Sequence, residues 1–70
     1  MRYAVIIEEG ASSYGAYVPD LPGCVAVGKT RDEVMALIQA AIEFHIEGLK
    51  QDGFPVPAPT SVVEFVDVAA

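Results

Sequence analysis

The chain is poor in nearly everything that staples or positively charges a small domain. Its 70 residues include one cysteine, one histidine, no tryptophan and four basic side chains. A single cysteine excludes an intramolecular disulfide framework, and one cysteine with one histidine cannot supply a soft structural zinc site. Arg2, Lys29, Arg31 and Lys50 are scattered, and against ten acids they leave a net charge of −6. Such a field repels nucleic acid, whose binding rests on neutralising phosphates with Lys and Arg. No uninterrupted apolar run exceeds five residues, as in Val34–Ile38, far below the ~18 of a membrane span. Glu8 and Glu9 come too early for a secretory leader. Phosphate-cradling and dinucleotide glycine motifs are absent, so no nucleotide cofactor is implied. A cytoplasmic protein is expected.

What is present is apolar. Residues of the AVILMFWYC set make up 53% of the chain, and mean hydropathy is +0.41, too high for a disordered tail. One small domain of this length leaves roughly 40% of its unfolded-chain surface exposed. Below about 70–80 residues a domain usually needs a staple, and oligomerisation is the one left. A homodimer or a dimer of dimers is therefore expected. The acidity keeps an apolar domain soluble, or else steers it toward a basic partner.

Hydrophobic patterning predicts one α+β domain over 1–70, ordered β-β-β-α-β. The first strand spans about 2–9 around YAVIIE, the second 14–18 and the third 24–28, with a turn cluster and the PDLPG loop between them. Thr30-Arg31-Asp32-Glu33 has the spacing of a capping box, with acids at the positive end of the helix dipole. The helix should run over 31–52 and stop at Gly53, with Pro55 preventing its return. Val34, Leu37, Ile38, Ala41, Ile42, His45 and Leu49 form one stripe at 100° per residue, widened by Met35, Ile46 and Phe44. The arc is about twice what covering one sheet requires, so Ile42, Phe44, His45, Ile46 and Leu49 are expected at an interface between copies. Residues 54–60 carry three alternating prolines and read as a stiff connector. A fourth strand over 62–68 should return parallel to the first and pair beside it.

Catalysis has little to build on. Two-metal phosphoryl chemistry needs several converging carboxylates. Glu8 and Glu9 point to opposite faces of a strand, and Glu33 is already used as a cap. A Cys24–His45 nucleophile pair would put a small apolar residue beside Gly23 and a histidine on the helix's apolar arc, places that packing explains without chemistry. No enzyme, metal or cofactor is expected. The PDLPG loop either enforces a sharp reversal or offers Asp20 and Leu21 as a rigid acid and apolar knob to a partner.

Along nearly its whole length the sequence resembles the HicB family of bacterial antitoxins. YVPDLPGC (Tyr17–Cys24), followed six residues later by Thr30 and the helix, carries the resemblance, together with Asp52–Pro59 (DGFPVPAP). The resemblance implies a partial ribonuclease-H-like fold. It also implies a partner, a small, generally basic HicA-type toxin ribonuclease that the antitoxin silences. Asp20, Leu21, Glu8 and Glu9 are the expected partner-binding residues. Family members commonly continue into a C-terminal DNA-binding module; none follows the fourth strand here, so direct DNA binding is not expected. The alternative is an orphan self-assembling module with the same fold and no toxin partner.

Overall fold

A computed structural model describes all residues, 1–70. Three strands and one helix follow in order: β1 (Ile6–Glu9), β2 (Tyr14–Tyr17), β3 (Val25–Gly28) and α1 (Arg31–Gln51). The strands form one antiparallel sheet in the order β1-β2-β3. The first hairpin closes where the Gly10 amide donates to the Ser13 carbonyl, 2.8 Å away. β1 is shorter than the expected 2–9 because β2 offers only four partners, pairing Ile6 with Tyr17 and Glu9 with Tyr14. Beyond Tyr17 the chain turns into the PDLPG loop, so residues 2–5 have nothing to pair with on that side.

Register sorts the sheet into two faces. Ile7, Ala16 and Ala26 are aligned across the strands, as are Glu9, Tyr14 and Gly28. Since side chains alternate, Ile6, Tyr17 and Val25 lie on the opposite face with Glu8 and Val27. Small residues on the first face admit the helix. A Cβ on Gly28 would stand 2.9 Å from the Val34 backbone nitrogen and 3.1 Å from its Cα. Val34 and Ile38 of α1 are buried there with Ala16, Val18, Leu21 and Cys24.

The helix ends follow the expected chemistry. The Glu33 amide donates to Thr30 Oγ1 at 3.0 Å, although the return bond from the Glu33 carboxylate does not form. At the other end the Gly53 amide reaches the Lys50 carbonyl, and the Phe54 amide reaches that of Leu49. This Schellman closure puts Gly53 at φ +74°, where a Cβ is strained. A 21-residue helix spans ~30 Å, whereas a four-residue strand spans ~13 Å. The second half of α1 therefore overhangs the sheet. Ile42 and Ile46 there pack with Tyr3 against the core's margin, while Phe44 stays 83% exposed.

The fourth strand is the main departure. Residues 62–68 run extended but make no hydrogen bond to any other part of the chain.

Gly28→Ala is expected to destabilise the domain by ~1–3 kcal/mol, because rigid backbone meets the new methyl. Gly48→Ala, with open space around it, should be neutral or stabilise by up to ~1 kcal/mol. Urea unfolding of the two variants beside the parent protein tests the pair.

Candidate interaction surface

The PDLPG loop is a compact knot rather than a protruding finger. The Leu21 amide donates to the Val18 carbonyl, the Cys24 amide to Leu21, and the Val18 amide to Cys24. Gly23 takes φ +84° to complete the reversal. This winding turns Leu21 inward, where it is wholly buried. Leu21 is thus a core residue and not the exposed knob expected of it: the apolar side chain closes the end of the sheet that Val34 and Ile38 leave open.

Asp20 points the other way and is occupied by its own chain. Its Oδ2 accepts from the Thr60 and Ser61 amides, both at 2.9 Å. Its Oδ1 accepts from the Ser61 hydroxyl at 2.7 Å and the Thr60 hydroxyl at 3.2 Å. The Tyr3 hydroxyl also donates to the Pro57 carbonyl. A proline-stiffened arm is so pinned at two points, and one carboxylate satisfies four donors. The Ser61 amide and hydroxyl do most to hold the Asp20 carboxyl below its usual range, against an opposing desolvation that outweighs each of the weaker Thr60 bonds singly.

Past the clamp the arm travels beside the open edge of β1. Arg2, Tyr3 and Ala4 share one cleft with Ser61, Val62 and Val63. Val5, Ile6 and Ile7 share the next with Val63 and Phe65, and Arg31 and Glu9 lie at its margin. The arm therefore runs parallel to β1, as expected of a fourth strand, but stands off from it. Glu8 and Glu9 are both exposed at the end of β1, and Glu9 accepts a long 3.4 Å hydrogen bond from Tyr14.

The sheet face away from α1 is bare. Val25 and Val27 are 63% and 67% exposed there, beside a half-covered Tyr17. An apolar row with Glu8 at its end is a surface of the kind that partners cover. Sequence reasoning placed Val25 and Val27 on one face of the third strand without naming them as candidate site residues; their alternation with Cys24, Ala26 and Gly28 was the signal that this face stays bare.

No catalytic arrangement emerges. Cys24 is buried and its thiol is pushed up in pKa by desolvation, the opposite of an activated nucleophile. No group of three or more His, Cys, Asp or Glu side chains gathers to hold a metal. No helix is long and apolar enough to cross a membrane.

Comparison with known proteins agrees with this geometry. The family described as "HicB_like antitoxin of bacterial toxin-antitoxin system" matches residues 3–69. The chain belongs to the HicB-like antitoxin family. Antitoxin HicB 2 of Photorhabdus laumondii is 32% identical over the whole of this chain, which spans 51% of that protein. An uncharacterised 14.9 kDa protein of Haemophilus phage HP1 is 36% identical over 96% of this chain and 50% of its own length. The chain thus spans about half of these two relatives. A UPF0150 protein of Helicobacter pylori is 34% identical over 99% of this chain and 97% of its own. Among solved structures, a chain of a "HicA3 and HicB3 toxin-antitoxin complex" superposes with a TM-score of 0.73 at 32% identity, over 86% of this chain and 70% of that one. The HicB-like family is one of antitoxins rather than enzymes, and the α+β fold is the one its residues led us to expect.

The Asp20 clamp has a defined pH window. A carboxyl held below its unfolded value contributes stability above that value and loses it as pH falls through the folded one. The Thr60 and Ser61 amide resonances should stay constant down to about pH 4 and move only below it. Asp20→Ala should shift both at neutral pH. Amide resonances that ignore this substitution would show that the clamp does not hold the arm in solution.

Proposed function

We propose that this HicB-like protein is a cytoplasmic antitoxin that binds and neutralises a small basic HicA-type toxin ribonuclease. The observation that carries the reading is the fold shared, at 32% identity, with a chain of a HicA–HicB toxin-antitoxin complex. Charge supports it. A net charge of −6 repels RNA but speeds encounter with a basic protein. The surface offered is the bare sheet face, where Tyr17, Val25 and Val27 supply apolar area and Glu8 supplies charge at its rim, with Glu9 next to it at the end of β1 on the other face. Asp20, engaged with Thr60 and Ser61, contributes indirectly by fixing the arm beside that rim. Leu21, being buried, supports the loop from within.

Self-association accompanies this role through the helix flank. Leu37 and Phe44, seven residues apart on α1, are both exposed, and they widen the apolar arc on the side away from Ile46. Ile42, His45, Ile46 and Leu49 are half-buried against their own subunit, so the helix contact centres on Phe44 with those residues behind it. The orphan-module reading shares this contact and differs only in lacking a toxin.

Co-expression with the adjacent small basic reading frame should relieve the growth arrest that frame causes, and the two proteins should co-purify at low salt. Glu8→Lys with Glu9→Lys should weaken the complex by about tenfold, mainly through slower association and with reduced salt dependence. An adjacent frame that is harmless, or that forms no complex at low salt, would favour the orphan module. Separately, Phe44→Asp should weaken helix-mediated self-association in light scattering without unfolding the domain. Ile46→Glu should also lower the melting temperature, because Ile46 packs on its own core.

A further inference from the structure

The outer edge of β3 and one flank of α1 form a single uncovered side of the molecule. The sheet ends there, because β3 pairs with β2 alone. The Val18 amide donates to the Cys24 carbonyl across these strands, and further along Ala16 lies opposite Ala26 and Tyr14 opposite Gly28. Alternation therefore turns the backbone groups of Cys24, Ala26 and Gly28 toward β2 and those of Val25 and Val27 outward. Two amides and two carbonyls stand in an open row, and the side chains of the same two residues are largely exposed. Natural proteins blunt such edges with a charge, a proline or a bulge. The strand Val25–Gly28 (VAVG) carries no charge and no proline.

The helix layer is open on the same side. Ile42 and Ile46 share a cleft with Met1 and Tyr3, the residues that lead into β1, so their flank of α1 looks toward β1. Leu37 and Phe44 stand about 150° round the helix from them and look out past β3, where α1 begins with Val34 against Gly28. Leu37 and Phe44 are both exposed, as is Ala40 between them.

We propose that this side pairs with the same side of a second copy, β3 against β3, about a two-fold axis at Ala26. The open row is complementary to itself. In the antiparallel register that sets Ala26 opposite the partner's Ala26, Val25 faces the partner's Val27 and Val27 faces the partner's Val25. Every outward amide then meets an outward carbonyl, and no edge group of the two valines is left over. Lys29, next along, falls opposite the partner's Gly23, so no like charges meet in the ladder. The two sheets become one, and the helices on its covered face come side by side through Leu37 and Phe44. A second copy is chosen over another occupant because both layers must be met at once. This chain presents an apolar edge and an apolar helix flank together, and two-fold symmetry brings each against its like. The contact goes beyond the antitoxin reading and does not rest on it, while it places a paired sheet edge beneath the helix contact at Phe44.

The test compares the full chain with Val27→Pro and Leu37→Asp by sedimentation and by amide hydrogen exchange at several concentrations. In a lone copy the Val25 and Val27 amides have no acceptor and exchange freely; in the pair both are protected. The expected result for the parent protein is protection of these two amides that rises with concentration, in step with association. Val27→Pro removes an outward donor from each copy and none that serves β2, so it should weaken the pairing by about tenfold or more while exchange in β2 and α1 stays as it was. Leu37→Asp puts a charge between the helices and should remove the protection of Val25 at the same concentrations. Three results would overturn the proposal: Val25 and Val27 amides that exchange freely up to millimolar protein, whether or not the protein associates; protection that does not depend on concentration; or protection that arises only when a basic partner protein is added. Toxin co-purification is scored separately. Loss of the toxin complex leaves the concentration-dependent protection standing, and loss of the protection leaves the complex standing, so the two failures are told apart.

Discussion

The structure depends on how closely one helix can approach one sheet. Ala16, Ala26 and Gly28 present almost no side chain to α1, so Val34 reaches the sheet backbone at Gly28 itself, with Ile38 buried in the same cluster. Only seven of 70 residues are buried, and they all belong to this contact or to the loop that caps its end. Close packing compensates for small size: dispersion is strongest where no gap remains. The same economy makes a two-layer slab only 16 Å thick along its shortest axis. One sheet face is covered, and the other has nothing of its own chain to cover it.

A second constraint is the knot at Val18–Cys24. Its three internal backbone bonds and the left-handed Gly23 decide the direction of two neighbouring side chains. Leu21 goes into the core and Asp20 goes out to meet Thr60 and Ser61. A loop with the composition of a recognition finger thus spends its apolar residue on stability and its acid on positioning the C-terminal arm. Rigidity here fixes the geometry of the surface around it.

For an antitoxin the arrangement is economical. A net charge of −6 spread over the molecule is of the sign that steers encounter with a basic protein, and the bare strands leave apolar area exposed. A surplus of exposed apolar side chains, Phe44 on the helix and Val25 and Val27 on the sheet among them, is surface of the kind that partners cover.

The sequence by itself determined the local structure. The Thr30 cap, the Gly53 stop, the apolar stripe of α1 and the strand–turn–strand order are each set by residues within a few positions of one another, and all but the start of β1, four residues later than read, appear within a residue or two of where they were read. The family resemblance was equally legible in Tyr17–Cys24 and Asp52–Pro59. Tertiary structure alone decided the rest. Whether Leu21 faces in or out depends on a vacancy left by Val34 and Ile38, more than ten residues away. The 62–68 segment has the pattern of a strand, but a strand exists only when another edge pairs with it. Asp20, forty residues earlier in the chain, bonds Thr60 and Ser61 just before the segment, which passes the β1 edge without pairing to it. Periodicity records which side chains a segment can bury; which backbone lies beside it is settled by distant hydrogen bonds that no local pattern contains.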